Sequence, residues 1–420
     1  MLLVAGCSAT DFTEADYIEA GFTEADFPEA DFPEAEVSRG DLTTDATPGA
    51  DPSTAADGPS ELETGTARAP LTSPTSIATA VPTAIALPTQ VPDATATPTT
   101  IPPPTSFPPT PVPPSASATA EDTIYVAIGG SGNGASAETA LGSITQGLGL
   151  LEPGMTLVIN AGMYSENVIG RSLARGTPSR PIRVQTSGRV VVEGLVRIDD
   201  ADYWDISGLN VTWPASGNSD DHLVKLTGGT GWTFRDAEVW GAKSFAGVLV
   251  AGAASHYTLR GLYVHDTAST NGRNQDHLIY VNSTSGPGLV ERNLLVGSPN
   301  GRAVKVGGAA LADVVSDVVI DRNTMVDNLG PSNIQVSGAT SSVTISNNIM
   351  VRPDQGRNAI TAFKLTGTNI VASGNVVWQA AGVSDPEVVD LGGNVQLNPE
   401  FGPGFVPGAA AAKGAGYRAP

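Results

Sequence analysis

The sequence predicts that the ordered part of this chain is an all-β parallel β-helix. Six copies of one pattern fill residues 222–379, and equivalent first-strand positions of successive copies lie 24 to 31 residues apart. That spacing is typical of solenoid repeats. Each copy contains three short apolar strands separated by turns. Because one such coil cannot bury its apolar side alone, we expect the copies to stack around a shared core.

The first strand of each copy alternates between inward and outward side chains. Val224 and Leu226 are predicted to face the core while Lys225 faces outward, and the other copies repeat this arrangement. The six first strands are predicted at 224–226, 248–250, 279–281, 304–306, 334–336 and 363–365.

The second strand of each copy ends in a two-residue tag. Asparagine tolerates left-handed backbone and its amide can bond the neighbouring coil, so we expect the tag asparagines to stack in a ladder. Asp236 and Gly261 are assigned the same place in the first two copies. The expected ladder residues are Asn293, Asn323, Asn348 and Asn375.

The chain begins with a segment that resembles a lipoprotein signal. Residues 4–7 read Val-Ala-Gly-Cys, which is similar to the lipobox of bacterial lipoproteins, although most of a signal peptide is missing. We interpret 1–7 as a truncated signal and Cys7 as the lipidated residue; the alternative is an incidental cysteine. Cys7 is the only cysteine, so no intrachain disulfide forms.

Residues 8–121 are predicted to be a disordered tether. Segment 8–64 is acidic and contains five pentapeptide repeats at 11–35, whereas 65–121 is rich in Pro and Thr and favours an extended polyproline II conformation. The first 120 residues carry 17 Asp and Glu against two Arg, which gives −15 of the total charge of −21. The acidity therefore belongs mainly to the tether and says little about ligands of the ordered domain.

The ordered domain is predicted to span 122–401. A strand at 124–127 and an amphipathic helix at 137–151 precede the first coil, and the helix is expected to cap the open apolar end of the solenoid. The Gly- and Pro-rich sequence from 398 is interpreted as the closure, and 402–420 as a C-terminal tail.

Residues 123–401 resemble bacterial right-handed parallel β-helix proteins of the pectate-lyase-like superfamily. The resemblance rests on the 125–126 strand, the 141–151 helix, Pro153-Gly154, the segment 162–168 and Asn398-Pro399-Glu400-Phe401. It implies a right-handed coil. It does not imply one activity, because the superfamily includes lyases, glycosidases, epimerases, phage tailspikes and non-catalytic surface proteins.

The outward positions of the six first strands are predicted to form one stripe along the solenoid. With neighbouring coils about 4.8 Å apart, Tyr280 contacts Lys305, and Lys225 lies roughly 14 Å from Lys305. Amines beside a phenol suggest a groove for a polyanionic sugar chain; solvent-facing lysines without a ligand are the alternative. The stripe is Lys225, Leu249, Tyr280, Lys305, Gln335 and Lys364.

The longest insertion of the repeat, 265–277, leads directly into Tyr280. It is expected to set His265, Asp266, Asp276 and His277 beside the stripe, while Asp220, Asp221 and His222 precede Lys225 and Arg302 precedes Lys305. Long loops on a rigid scaffold commonly carry function.

Two reactions fit these residues. In β-elimination from a uronic acid, Arg302, or Ca²⁺ held by Asp266 and Asp276, offsets the carboxylate; Lys305 or His277 is the base, and Tyr280 is the acid. In glycoside hydrolysis, Asp220 and Asp221 act with Asp266 or Asp276 as the paired carboxylates. The Asp pair is faintly similar to that of polygalacturonases, but the Arg-Ile-Lys motif of that family is missing. Lyase chemistry is therefore favoured over hydrolysis.

The sequence leaves open whether the protein is an enzyme. The leading hypothesis is a monomeric, extracellular β-helix, lipid-anchored to the bacterial cell envelope, that binds and cleaves an acidic polysaccharide. Catalytic candidates are Lys305, Tyr280, His277 and Arg302, and substrate-binding candidates are Lys225, Lys364, Gln335, His265 and His222. The alternative is a non-catalytic adhesin or wall-associated scaffold. No apolar run is long enough to span a membrane, and no basic face suits nucleic acid.

Overall fold

The computed structural model describes residues 122–214, 221–243, 245–268, 276–308, 314–353 and 356–418. The predicted signal, lipidated Cys7, acidic segment and Pro/Thr-rich linker lie outside the described residues. So do Asp220 and most of the 265–277 insertion.

The described chain is a parallel β-helix, which confirms the predicted fold class. Each coil contributes one strand to each of three parallel sheets in turn, and side chains from all three fill one core. The strands of sheet 1 are Val168–Gly170, Val196–Asp199, Val224–Thr227, Val248–Gly252, Ile279–Ser283, Val304–Val306, Ile334–Ser337 and Ile360–Phe363.

Sheets 2 and 3 are joined where two long strands, Thr156–Tyr164 and Ile182–Glu193, run through both. The other strands of sheet 2 are Thr123–Val126, Trp204–Ser207, Thr233–Arg235, Tyr257–Arg260, Gly288–Glu291, Ser316–Asp321, Ser341–Ser346, Ile370–Ser373 and Val389–Asp390. Those of sheet 3 are Leu209–Thr212, Glu238–Trp240, Tyr263–His265, Leu294–Val296, Thr324–Val326, Ile349–Val351, Val376–Trp378 and Val395–Gln396.

One short α-helix, Ile144–Leu148, occupies the region where a helix over 137–151 was expected. Gly142, Gly147 and Gly149 lower helix propensity there, and Leu141 instead forms a parallel bridge with Val126. Ile144 and Leu148 are buried in the main core, and the capping role stays a prediction. With five residues, this helix is far too short to cross a bilayer, and none of the described helices qualifies.

The predicted asparagine ladder is present on the turn between sheets 2 and 3. The backbone N–H and side-chain amide of each ladder residue donate to Oδ1 of the next, at 2.9–3.0 Å, and Asn394 extends the series. At its end, Asn394 Nδ2 donates to the Asp390 carboxylate at 2.6 Å. The ladder thus satisfies backbone donors at turns where water has no access.

The expected place of Asp236 and Gly261 was wrong by one residue. Asp236 and Gly261 adopt left-handed backbone, with φ of 54° and 62°. In the next coil Arg292, the first residue of its tag, has this conformation, with a φ of 54°, so Asp236 and Gly261 correspond to Arg292 and not to Asn293. The residue after the left-handed one supplies the ladder amide. In the coil before Asn293 this position is occupied by Leu262, whose N–H donates to Asn293 Oδ1.

Replacing Asn323 with alanine is expected to lower the free energy of unfolding by roughly 3 kcal/mol. Asn323 is fully buried, and its loss removes the acceptor of the Asn293 backbone N–H, one of the two acceptors of the Asn293 side-chain amide, and a donor to the Val290 carbonyl. Denaturant unfolding of the full chain measures the change. Asn133→Ala, at an exposed asparagine, is the matched control; equal effects for both variants would contradict the ladder's role.

The C-terminal tail packs on the outer face of sheet 3. Ala409, Ala412 and Ala415 form a second apolar cluster with outward side chains of that sheet, including Ile349 and Val351. The tail residues are tied to the coils by hydrogen bonds from Gly416 N–H to Asn347 O at 2.8 Å and from Tyr417 N–H to Thr324 Oγ1 at 2.9 Å. The tail is therefore part of the folded unit.

Candidate functional site

The register of sheet 1 places the predicted stripe in one outer column. Lys225 pairs with Leu249, Leu249 with Tyr280, Tyr280 with Lys305, and Lys305 with Gln335. One further cation precedes them, because Arg197 pairs with Lys225. The sequence analysis missed Arg197, although the alternation of Val196, Arg197 and Ile198 carries the same signal as the later copies.

Lys364 does not belong to this column. The last strand of sheet 1 is Ile360–Phe363, three residues earlier than expected, so Thr361 pairs with Gln335. Lys364 follows the strand with a φ of 47° and is exposed. Both triplets show apolar alternation, and the strand forms over the upstream one, where Ile360 is fully buried in the core.

A second column lies at the turn before each strand of sheet 1. It contains His222, Ala246, His277 and Arg302. The N–H groups of the next residues, Leu223, Gly247 and Leu278, donate to the carbonyls of Ala246, His277 and Arg302, which fixes this order. Nδ1 of His222 accepts from Ala246 N–H at 3.1 Å, and Nδ1 of His277 accepts from Arg302 N–H at 3.1 Å. We call the two columns together the sheet 1 wall; its residues are Arg197, Lys225, Leu249, Tyr280, Lys305 and Gln335 with His222, Ala246, His277 and Arg302.

The side chains of the wall meet around Tyr280. Lys305 Nζ lies 5.1 Å from the centre of the Tyr280 ring, and the His277 ring meets that ring edge-on at a centroid distance of 5.8 Å. The His222 ring lies 6.4 Å from Tyr280 and 5.2 Å from Phe245. An amine, a phenol and two imidazoles, with Arg302 in the adjacent coil, thus form one cluster.

The cluster is buried although it lies outside the solenoid core. Exposed fractions are 2 % for Tyr280, 8 % for Lys305 and 0 % for Arg302. Cations removed from water cost free energy that partner groups have to offset. Such clusters are characteristic of functional sites.

Burial keeps both imidazoles of the wall neutral. Loss of solvation, followed by the charges of Lys305 and Arg302, lowers the pKa of His277 well below 6.5. Burial, with Lys225 and Arg197, lowers the pKa of His222 to about 3. Since Nδ1 of each ring accepts a backbone hydrogen bond, the proton of the neutral ring resides on Nε2. His277 is therefore suited to donate a hydrogen bond rather than to act as the base.

Replacing His277 with asparagine is expected to make the protein less sensitive to acid. Below pH 6.5 His277 is protonated in the unfolded chain but stays neutral in the folded protein. Folding stability therefore falls as the pH drops. As the pH falls below 6.5 we therefore expect the variant to lose less folding stability than the parent. Asn Oδ1 is placed to accept the Arg302 N–H. Denaturant unfolding across this pH range measures the difference, and parallel losses would contradict a neutral His277.

His265 lies on a different surface from the one expected. It ends a strand of sheet 3, where its Nε2 contacts Glu238 Oε1 at 3.2 Å and its Nδ1 contacts Asp266 Oδ2 at 2.8 Å. Its ring stacks on Tyr263 at 4.0 Å. Within the described part of the insertion, His265 therefore lies on sheet 3 and His277 on the sheet 1 wall, a separation that spacing along the chain could not reveal.

The carboxylates considered for metal binding have different environments. Asp266 has left-handed backbone and a side chain that is 76 % exposed, whereas Asp276 is fully buried, which raises the pKa of its carboxyl group. Across the described ranges, no group of three or more His, Cys, Asp or Glu is arranged around a metal position. A Ca²⁺ ion at Asp266 and Asp276 stays a prediction.

Asp221, a candidate for hydrolysis, is held by its neighbours. Its carboxylate forms an ion pair with Arg197 and accepts a hydrogen bond from the His222 N–H at 2.8 Å. This pair positions Arg197 at the start of the wall. A carboxylate so engaged is poorly placed to activate water, which favours the residues around Tyr280 as the reacting groups.

Comparisons with known proteins give similarity to solved structures only. No protein-family model matches the chain, and no curated protein matches it. Similar structures include an alginate lyase from Paenibacillus sp. str. FPU-7 (18 % identity, 64 % of this chain and 99 % of that chain, TM-score 0.36). Others are pectate lyase Pel9A (14 %, 66 % and 82 %, 0.39) and a GH136 lacto-N-biosidase from Eubacterium ramulus (14 %, 65 % and 66 %, 0.32). At such values these similarities carry no weight for activity, which depends on side chains.

Proposed function

We propose that this protein binds an acidic polysaccharide along the sheet 1 wall and cleaves it by β-elimination. The observation that supports this function is the single cluster of Lys305, Tyr280, His277 and Arg302. These groups supply a base, an acid, a neutral hydrogen-bond donor and a fixed cation, which are the parts that the reaction needs.

Each group has one task in the proposed reaction. Once its ammonium group has released a proton to water, Lys305 takes the proton at C5 of the uronic acid as a free amine, and the electron pair forms a double bond between C4 and C5 as the C4–O4 bond breaks. The Tyr280 hydroxyl protonates the departing O4. Arg302 offsets the carboxylate charge and His277 Nε2–H donates to a carboxylate oxygen, so that the C5 proton becomes acidic. The products are an unsaturated uronate and a new chain end.

Ultraviolet absorbance of the unsaturated product tests the reaction. The full chain is incubated with a panel of uronic acid polymers, with and without Ca²⁺, and cleavage is followed continuously. Absorbance that rises with enzyme concentration supports elimination. Chain shortening without absorbance would indicate hydrolysis, and neither signal with any polymer would remove the enzymatic proposal.

A non-catalytic adhesin is the second candidate, and the burial of the wall favours it. Tyr280 and His277 are 2 % and 1 % exposed. A polymer can therefore contact them only if the side chains that cover them change conformation. For an adhesin, we expect glycan binding without any chemical change in the glycan. The cleavage assay, run beside a binding assay, separates the two functions.

We further propose that the domain is displayed outside the cell on a lipid anchor at Cys7, with 8–121 as the spacer. The motivation is the lipobox-like segment and the extended linker. Labelling with a fatty acid analogue in a bacterial host tests this: label is expected on the parent protein and absent from Cys7→Ser. Equal labelling of both proteins would rule out the anchor.

A further inference from the structure

Arginine recurs where the second strands of four successive coils end. The four residues are Arg235, Arg260, Arg292 and Arg322. The first two end strands of sheet 2, whereas the last two are turn residues with a φ of 54°. Glu291 and Asp321 therefore take the strand-end position, and Arg260 pairs in register with Glu291. Because of this shift by one residue, Arg260 and Arg292 line the same cleft beside the turn between sheets 2 and 3.

This cleft has a volume of about 290 Å³ and lies between the turn and the C-terminal tail. Gly261 leaves space in it, since a methyl group added there would lie 2.7 Å from Asp236 Oδ1. The residues that line the cleft are Asp236, Arg260, Gly261, Glu291, Arg292 and Arg418. None of them belongs to the sheet 1 wall.

The C-terminal tail carries Arg418 to the cleft. The hydrogen bonds from the N–H groups of Gly416 and Tyr417 hold the tail on two successive coils, and Arg418 follows directly. Burial, and then the charge of Asp236, raises the pKa of Tyr417. The tail therefore lies beside the carboxylate that lines the other side of the cleft.

The charges of the cleft favour one negative group. Three guanidinium groups face two carboxylates, and Asp236 also contacts Arg235 at 2.6 Å. Glu291 Oε1 accepts from Arg260 Nε at 2.5 Å, whereas its Oε2 lies 3.9 Å from Arg292 Nε. Arg418 is exposed, and no carboxylate among the described residues pairs with it. Arg418 and the half-exposed Arg292 therefore keep N–H donors for a ligand.

We propose that this cleft binds one uronic acid unit of a glycan, at a site separate from the sheet 1 wall. Arg292 and Arg418 donate to its carboxylate, because guanidinium groups match the planar geometry of that group. Its hydroxyl groups donate to Asp236 and Glu291, the two carboxylates that would repel a second negative charge on the ligand. The volume lies near the lower end of the range for small-molecule sites and suits a single ring. A glycan held there is anchored without being cleaved.

Titration of the full chain with three related monosaccharides tests the ligand class. The probes are galacturonate, galactose and galactose 6-phosphate, and binding is followed by ligand-observed NMR at one ionic strength. We expect galacturonate to bind at least about tenfold more tightly than galactose, since its carboxylate adds hydrogen bonds to charged groups. We also expect it to bind more tightly than the phosphate. Equal binding of galacturonate and galactose, or tighter binding of the phosphate, overturns the inference.

Substitutions of single cations assign the binding to the cleft. Arg418→Gln changes an exposed side chain and is expected to weaken galacturonate binding by about tenfold. Lys413→Gln is the matched control, because it removes a positive charge from an exposed position of the same tail outside the cleft; we expect unchanged binding. Equal binding by Arg418→Gln and the parent overturns the inference. A loss confined to Lys225→Met would place the sugar on the sheet 1 wall, which overturns the inference and leaves the proposed function standing.

Discussion

Replacing Lys305 with methionine is expected to lower the rate of glycan cleavage by roughly 10²- to 10⁴-fold, the usual contribution of a positioned base. Methionine keeps an unbranched stem against the Tyr280 ring and removes only the amine that takes the C5 proton. The loss should appear in kcat, since the other cations of the wall still hold the polymer. Initial rates of absorbance increase over a range of polymer concentrations measure both constants.

Lys225→Met is the matched comparison for that variant. It removes the same amine from the same column three coils away, and we expect it to raise KM more than it lowers kcat. Equal kcat losses for both variants would mean that neither lysine has a chemical role. An unchanged kcat in Lys305→Met would assign the base elsewhere.

Removing residues 402–420 is expected to lower the free energy of unfolding by on the order of 5 kcal/mol. The deletion uncovers Val326, Ile349, Val351 and Val376 on the outer face of sheet 3 and removes the alanines packed on them. An exposed apolar surface of this kind also promotes association. Denaturant unfolding and size-exclusion chromatography measure the two effects, and an unaltered, monomeric truncated chain would contradict the role of the tail.

Two glycine substitutions test the same contact without shortening the chain. Gly416 has a φ of 79°, and an added methyl group would lie 2.6 Å from Ile349 Cδ1, so Gly416→Ala is expected to weaken the packing of the tail. Gly414 has open space around its added methyl group, and Gly414→Ala should have little effect. A similar loss in both variants would point to tail flexibility rather than to the Ile349 contact.

Much of the fold could be predicted because every coil has to bury the same kind of apolar face against its neighbours. Apolar alternation fixed five of the six first strands, and the recurring asparagines located the ladder. The sixth strand failed because Ile360-Thr361-Ala362 and Phe363-Lys364-Leu365 share one pattern, and only burial against the preceding coil separates them. The one-residue error at Asp236 and Gly261 arose because both left-handed turns and amide ladders favour asparagine.

The burial of the outer face of sheet 3 under the C-terminal tail is indicated by the sequence of the strands themselves. Glu238-Val239-Trp240 alternates, but Ile349-Met350-Val351 is apolar throughout, and uninterrupted apolar strands are buried on both faces. The site was harder to predict. The position of His265 on sheet 3 and the burial of Lys305 against the Tyr280 ring depend on how turns from several coils pack together. No single stretch of sequence contains that information.

The asparagine ladder also has an electrostatic direction. Its side-chain amides all point the same way, with each oxygen toward the start of the chain and each nitrogen toward the end. Aligned amide dipoles add up, much as peptide dipoles do along an α-helix, and hydrogen-bonded chains polarise one another. The positive pole falls at Asn394, beside the Asp390 carboxylate. The last coil is thus closed by a counter-charge as well as by packing.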